Sequence, residues 1–387
     1  MSRISRRALA RIASAAVAAN GLSAQHAGHE DYAGPLTGLQ NKAEGRGLDP
    51  LPYAVRLLDS APRRLRFSAR NRREAEQWQG QLRSKLTELL GGFPTERAPL
   101  RAITLETKEF SGYRSEKVIF DSRDGMSALA YILTPKNART PVPAVICVPG
   151  HGRGVDDIVG IDDKGHARTD RAGYQHDFAI QIVEAGMAAV AIEPAGFGCR
   201  RDPANIKRGL GRSSCQPVAG TALLLGQTMI GWRVYDVMRT IDYIATRKEL
   251  DANRVGCVGI SGGGTCTLFS TALEPRIKAA FVSGYLNTFR DSIGSISHCI
   301  DNYVPGVMNW AEIYDIAGLI APRPLIIESG RKDDIFPIDA SIDSFNKVSA
   351  IYKIFGANDR IDHDVFDEAH SFWGKKGVPF LARHLSA

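Results

Sequence analysis

The turn Gly259-Ile260-Ser261-Gly262-Gly263 follows the apolar run Val255–Ile260 and opens a stretch of helical character. Where a strand turns sharply into a helix, the flanking positions leave no room for side chains, and the serine is pushed out at the carboxyl edge of the sheet. A serine hydroxyl is a weak nucleophile until a neighbouring base takes its proton. Two other uses of such a turn compete. A phosphate cradle also places glycines at a helix start, but no Lys-Ser or Lys-Thr follows these. A bare glycine turn with an idle serine is the plainest alternative, and it predicts no partners elsewhere.

Candidate partners do stand further along the chain, on loops after late strand-like runs. The run Asp364–Phe366 leads into Asp367-Glu368-Ala369-His370, and His370 is the histidine placed directly after a terminal strand. His363 precedes that strand core and His384 sits in a C-terminal helical segment, so both read as packing or surface residues. The run Leu325–Ile327 leads into a loop with Asp333 and Asp334, of which one can face the imidazole. Asp339 reads as a helix cap, and Glu328, at the strand end, competes as a packing or tethering residue. Acyl transfer also needs donors for a developing oxyanion. The Gly262 amide is one, and the loop Pro149–Gly154 after Val142–Val148 supplies the other, with the Arg153 amide selected and His151 read as a structural loop residue. Between two late strands, residues 284–321 form part of a pocket, with Tyr285, His298, Tyr303 and Trp310 as candidate substrate contacts.

The elements that must position these residues alternate. A hairpin, Glu116–Phe120 and Leu129–Leu133, is followed by strands at Val142–Val148, Ala188–Ile192, Val255–Ile260, Ala279–Val282, Leu325–Ile327 and Asp364–Phe366. Helices are predicted at Tyr174–Ala185, Leu223–Arg247, Gly263–Leu273 and Ser341–Phe355. Near-continuous apolar strands alternating with helices imply an α/β architecture, a mostly parallel sheet covered on both faces. Ahead of it, Asn71–Leu90 has helical periodicity with Asn71 as cap, and Pro52–Leu58 predicts a shorter helix. The domain reading is therefore a leader or tail over 1–25, a helical extension over 26–100 and a catalytic domain over 101–387.

The chain has 387 residues, a net charge of +7 and six cysteines. No apolar run of about eighteen residues occurs, so no membrane span is expected. Six arginines between Arg63 and Arg73 form a basic cluster. Without a zinc-finger, homeodomain or RNA-binding signature, it reads as a solvated or inter-subunit face rather than a nucleic-acid site, which leaves room for a homo-oligomer. Cys147 and Cys257 fall inside strands. Cys199, Cys215 and Cys299 fall in loops where one pair is conceivable, and free thiols are the expectation. The Asp- and His-rich stretch Asp156–His176 shows no ligand spacing and reads as solvated, so neither metal nor cofactor is expected. Ser5-Arg6-Arg7-Ala8-Leu9 and the Ala-rich stretch to Ala24 have the form of a twin-arginine export signal. A basic tail on a cytoplasmic protein is the alternative.

Six motifs together carry a family resemblance: Gly150-His151-Gly152, Tyr174-Gln175-His176-Asp177, Glu193-Pro194-x-Gly196-x-Gly198, Gly259-x-Ser261-x-Gly263, Gly330-x-x-Asp333-x-x-x-Pro337 and Glu368-Ala369-His370. The combination resembles the dienelactone-hydrolase-like esterases of the α/β-hydrolase superfamily, and within them the bacterial acetyl-xylan-esterase-like branch with a helical N-terminal extension. The resemblance runs from about Asp49 to the C-terminus. It implies an α/β-hydrolase fold and places the acid three residues after the loop glycine, selecting Asp333 over Asp334; Asp334 itself stands where the pattern has proline. It also implies a Ser261–His370–Asp333 ester hydrolase acting through an acyl-enzyme on short-acyl esters, including those of carbohydrates. A serine in place of the cysteine of dienelactone hydrolases proper favours esters over enol-lactones. Lactone, amide or carbon–carbon cleavage by the same triad is the first alternative, since fold and triad do not fix substrate. A non-catalytic binding role is the second, and it would require a missing triad member.

Overall fold

A computed structural model describes residues 34–168 and 170–386; the expected export signal lies outside them. Two compact units meet between Ser60 and Ala61. In the first, helix α1 (Pro50–Asp59) begins at Asp49, whose carboxylate accepts the Leu51 amide at 2.9 Å. Proline at the first helical position needs no amide partner there.

The second unit contains helix α2 (Arg72–Leu89), capped by Asn71 through the Glu74 amide at 3.0 Å. Its apolar stripe of Ala75, Trp78, Leu82 and Leu86 is buried in the same core cluster as the central strands. Gln79 donates to the carbonyls of Gly318 and Ala321, which fixes the helix further. Helix α2 thus belongs to the unit that begins at Ala61, because it buries its stripe in that unit's core.

Nine strands form one sheet: β1 (Ile103–Glu109), β2 (Tyr113–Arg123), β3 (Met126–Pro135), β4 (Val142–Val148), β5 (Ala188–Ile192), β6 (Leu250–Ile260), β7 (Ile277–Ser283), β8 (Leu325–Gly330) and β9 (Ile361–Phe366). Their order is β1-β2-β3-β5-β4-β6-β7-β8-β9. β1, β2, β3 and β5 pair antiparallel, and every pair from β5 through β9 is parallel. Strand β1 went unread in the sequence because it is an exposed edge, ITLETKE, whose charges blunt further pairing rather than mark a core. The chain leaves β4 in one direction to β5 and later returns on its other side as β6. Loops after β4 and β6 therefore diverge, and a crevice opens at their carboxyl ends, the place where such sheets bind ligands.

Helices cover both faces: α3 (Phe178–Glu184), α4 (Pro203–Lys207), α5 (Cys215–Leu224), α6 (Met229–Ile244), α7 (Gly262–Leu273), α8 (Ile313–Gly318), α9 (Ile338–Ile354) and α10 (Gly377–Leu385). The single helix expected over Leu223–Arg247 is two. Gly226, at φ 68°, ends the first, and the Thr228 hydroxyl caps the second by accepting the Gly231 amide at 3.0 Å. The helix expected from Tyr174 starts only at Phe178, because His176 and Asp177 both adopt φ 47°. Helix α9 begins at Ile338 after Pro337, so Asp339 lies inside its first turn and caps nothing.

Candidate active site

Ser261 sits between β6 and α7 at φ 58°, ψ −122°, a region that side chains rarely occupy. The neighbouring glycines make this turn possible. A Cβ on Gly263 would overlap the Val148 carbonyl oxygen, and one on Gly259 would lie 2.5 Å from the Gly263 carbonyl oxygen. The Ser261 amide donates to the Ser283 carbonyl at 3.1 Å, pinning the turn to the end of β7.

His370 and Asp333 come from the loops after β9 and β8. The His370 Nδ1 lies 2.6 Å from Asp333 Oδ2. The other carboxylate oxygen accepts the amides of Ile335 and Phe336, each at 2.9 Å, so Asp333 cannot swing away. Asp334 makes no such contact. The imidazole is held between two rings, Tyr174 and Phe336, each with its centroid 5.6 Å away. It rests against Gly284, where a Cβ would stand 2.9 Å from the imidazole Cε1. The remaining nitrogen, Nε2, is buried without a hydrogen-bond partner. The loop bearing His370 is tied down by Glu328, which accepts the amides of Trp373 and Gly374 and the Ser283 hydroxyl. Burial pushes the Glu328 carboxyl up to about 7. Its tethering role matches one of its two expected uses.

The loop after β4 corrects one expectation. The Arg153 amide donates to Asp157 Oδ2 at 2.8 Å, and the guanidinium holds the same carboxylate, so this amide is not available to an oxyanion. The Gly150 amide is taken by Gln175 Oε1 at 2.8 Å. Between them, the His151 and Gly152 amides make no hydrogen bond among the described residues, while the His151 carbonyl accepts the Tyr174 hydroxyl at 2.7 Å. The His151 ring lies beside Gly262, with its Nδ1 3.1 Å from where a Cβ would stand. Gly262 is the first residue of α7, where amides have no helical acceptor.

Of the four candidate substrate contacts, two move elsewhere. Tyr285 is fully buried against Phe336 and the start of α7, a core position. Trp310 is covered by Arg64 and Lys85, whose cations lie 5.4 and 4.4 Å from its ring, and so belongs to the packing around α2. His298 stays at the site, edge-on to Phe336 at 5.7 Å. Burial lowers its affinity for a proton. Tyr303 is partly exposed and donates to the Ile293 carbonyl at 3.0 Å. The rings of Tyr174 and Phe336 were missed by sequence reasoning, although Tyr174 lay inside a quoted motif.

A second histidine–carboxylate pair flanks the turn. His151 Nε2 lies 3.5 Å from Asp301 Oδ2, and the same oxygen accepts from Arg233, which is itself buried. Burial works most strongly against protonation of His151, but the facing Asp301 and the Cys215 thiol together outweigh it and raise the imidazole. Among the described residues, the grouping that could hold a metal is His151, Cys215, Cys299 and Asp301. The acidic loop after residue 155 spends its carboxylates on Tyr131, Arg153, Arg168 and local amides instead.

A mixed sheet of this order, with a serine turn after β6 and a histidine and acid on later loops, defines an α/β-hydrolase. The chain belongs to the Abhydrolase family, whose model matches residues 53–372. It is 28% identical over 287 residues to "Putative hydrolase YtaP" of Bacillus subtilis (strain 168), covering 72% of this chain and 89% of that protein. Among solved structures it is similar to a "putative acetyl xylan esterase" from Bacteroides fragilis, with TM-score 0.70, 22% identity and coverage of 84% and 83% of the two chains. It is also similar to a glucuronoyl esterase from Solibacter usitatus, with TM-score 0.59, 15% identity and coverage of 81% and 94%.

Proposed function

We propose that this chain is a serine carboxylic-ester hydrolase acting through an acyl-enzyme on short-acyl, acetyl-type esters, with carbohydrate acetates as the substrate class. The observation that carries this reading is the state of His370: one ring nitrogen is held by Asp333 and the other is buried and unpartnered, while the ring rests on Gly284, the residue after Ser283, whose carbonyl accepts the Ser261 amide. Such an imidazole can take the Ser261 proton as the hydroxyl attacks the ester carbonyl. Asp333 fixes the tautomer and stabilises the imidazolium that forms. The Gly262 and His151 amides are the donors for the tetrahedral oxyanion. His370 then protonates the leaving alcohol, and in the second half it activates the water that releases the acid. The esterase names of the structural neighbours support an ester as the scissile group, through the shared fold. No residue of this scheme calls on a cofactor.

The test is covalent and kinetic. A fluorophosphonate should label Ser261, and kcat/KM on aryl esters should fall from acetyl to octanoyl, with acetylated sugars as substrates. Labelling at another serine, or full activity in Ser261→Ala, would end the mechanism. A rise toward octanoyl would end the acetyl preference alone.

A further inference from the structure

The cluster beside Gly262 contains more than an ion pair. His151 Nε2, the Cys215 and Cys299 thiols and a carboxylate oxygen of Asp301 lie within 4.8 Å of one another. They come from three separate parts of the chain: the loop after β4, the first residue of α5 and the segment between β7 and β8. The separations are 3.5 Å for His151 to Asp301, 3.5 Å for Cys215 to Asp301 and 3.9 Å for Cys215 to His151. Zinc bonds of about 2.0–2.3 Å in a tetrahedron put neighbouring ligand atoms roughly 3.3–3.8 Å apart. All six cysteines are free thiols, so no disulfide consumes the pair.

We propose that His151, Cys215, Cys299 and Asp301 form a closed, four-ligand structural zinc site next to the nucleophile turn. Two thiolates and an imidazole select a borderline-soft ion such as Zn²⁺ over magnesium or calcium. On binding, each thiol releases its proton to solvent as a zinc–sulfur bond forms, and no redox change is involved. Arg233 sits against the cluster and must be accounted for. Its guanidinium donates to Asp301 Oδ2, to the Cys215 sulfur at 3.5 Å and, through two nitrogens, to the Ala195 carbonyl at 3.1 and 2.9 Å. With zinc bound, the ion and Arg233 carry three positive charges against two thiolates and one carboxylate. Without zinc, two protonated thiols leave the Arg233–Asp301 pair balanced, so both states are neutral and either can be buried. Arg233 and Asn302, which donates to Asp301 Oδ1 at 2.9 Å, then act as the outer contacts that orient the carboxylate. Such a site would cross-link the loop after β4 to α5 and to the pocket segment, holding the His151 amide in place. No step of the ester chemistry above passes through the ion, whose part would be to fix the His151 loop.

The wild-type chain, expressed with zinc in the medium and purified without chelator, should carry about one zinc per chain by elemental analysis. Chelator treatment should remove the ion and lower Tm, and Zn²⁺ alone should restore both. Cobalt in its place should show thiolate-to-cobalt charge-transfer absorption, lost in a Cys215→Ser, Cys299→Ser double variant. Wild-type protein that arrives without zinc and neither binds added Zn²⁺ nor gains Tm overturns the proposal. So does full zinc retention by the double variant, or recovery of Cys215 and Cys299 as a disulfide from freshly purified protein. The wild-type measurement stands even where the double variant folds poorly.

Discussion

Two histidines flank the Ser261 turn, each facing a buried aspartate, and their surroundings assign them different work. His370 meets Asp333 at 2.6 Å, and that carboxylate has two backbone amides but no cationic side chain. His151 meets Asp301 at 3.5 Å, and that carboxylate is already paired with Arg233. Asp301 is thus shared between a buried guanidinium and an imidazole whose hold on a proton it strengthens. His151 also turns its Nε2 toward Asp301 and the Cys215 thiol, whereas His370 Nε2 has no partner.

Breaking the two pairs separately should have opposite signatures. Asp333→Asn keeps the shape and should lower kcat by about four orders of magnitude, with Tm little changed, while Asp334→Asn should stay within a few-fold of wild type. Steady-state kinetics on an aryl acetate decide it; the reverse ranking would move the acid one residue along, and near-normal rates in both would turn attention to Glu328. Asp301→Asn should do the converse. It strands the buried Arg233 charge, and removing one partner of such a pair costs about 3–5 kcal/mol. Chemical denaturation should show that loss, with kcat of the folded fraction falling far less than in Asp333→Asn. A comparable kcat loss in both would mean that His151 takes part in proton transfer.

A third change sharpens the comparison through Glu328, which tethers the His370 loop. Its carboxyl is raised from 4.5 to about 7 by burial. The folded chain then keeps a proton that the unfolded chain releases. Its contribution to stability is full below the unfolded value and lost as pH rises through about 7, a change on the order of 3 kcal/mol. Stability measured at steps across that window should fall with pH more steeply in the wild type than in Glu328→Gln. Equal slopes would show that Glu328 is ionised throughout. The smallest effect concerns the turn itself. Ser261→Gly should abolish activity and yet raise stability by about 1 kcal/mol or more, since glycine accepts the positive φ without strain. A stability loss instead would mean that the serine side chain holds the turn together.

The residues with chemistry at fixed offsets from strand ends were legible early. Ser261, His370 and Asp333 each follow an apolar run by a few positions, and any strand-to-loop reading brings them to one sheet edge. The strands from β4 to β8 were visible because burial on both faces demands apolar runs, whereas edge strand β9, IDHDVF, has an apolar run of only its last two residues. The choice of Asp333 over Asp334 needed the family pattern, because adjacent aspartates are equivalent until a backbone turn aims one of them. Exposed β1 was illegible because an edge strand carries charges that mimic a loop. The break at Gly226 was illegible because the apolar residues on either side continue the helical period.

What the sequence determined by itself is local: which runs are strands, where the glycine turn must strain its serine, and which loops follow the strand ends. Tertiary structure alone decided how those loops share their donors. It gave the Arg153 amide to Asp157, closed Tyr285 into the core, covered Trp310 with two cations and drew His151, Cys215, Cys299 and Asp301 to one point. The physical reason is range. Backbone geometry and burial pattern act over a few residues, but hydrogen bonds and ion pairs between distant segments depend on how the sheet stacks them, and no spacing along the chain encodes that.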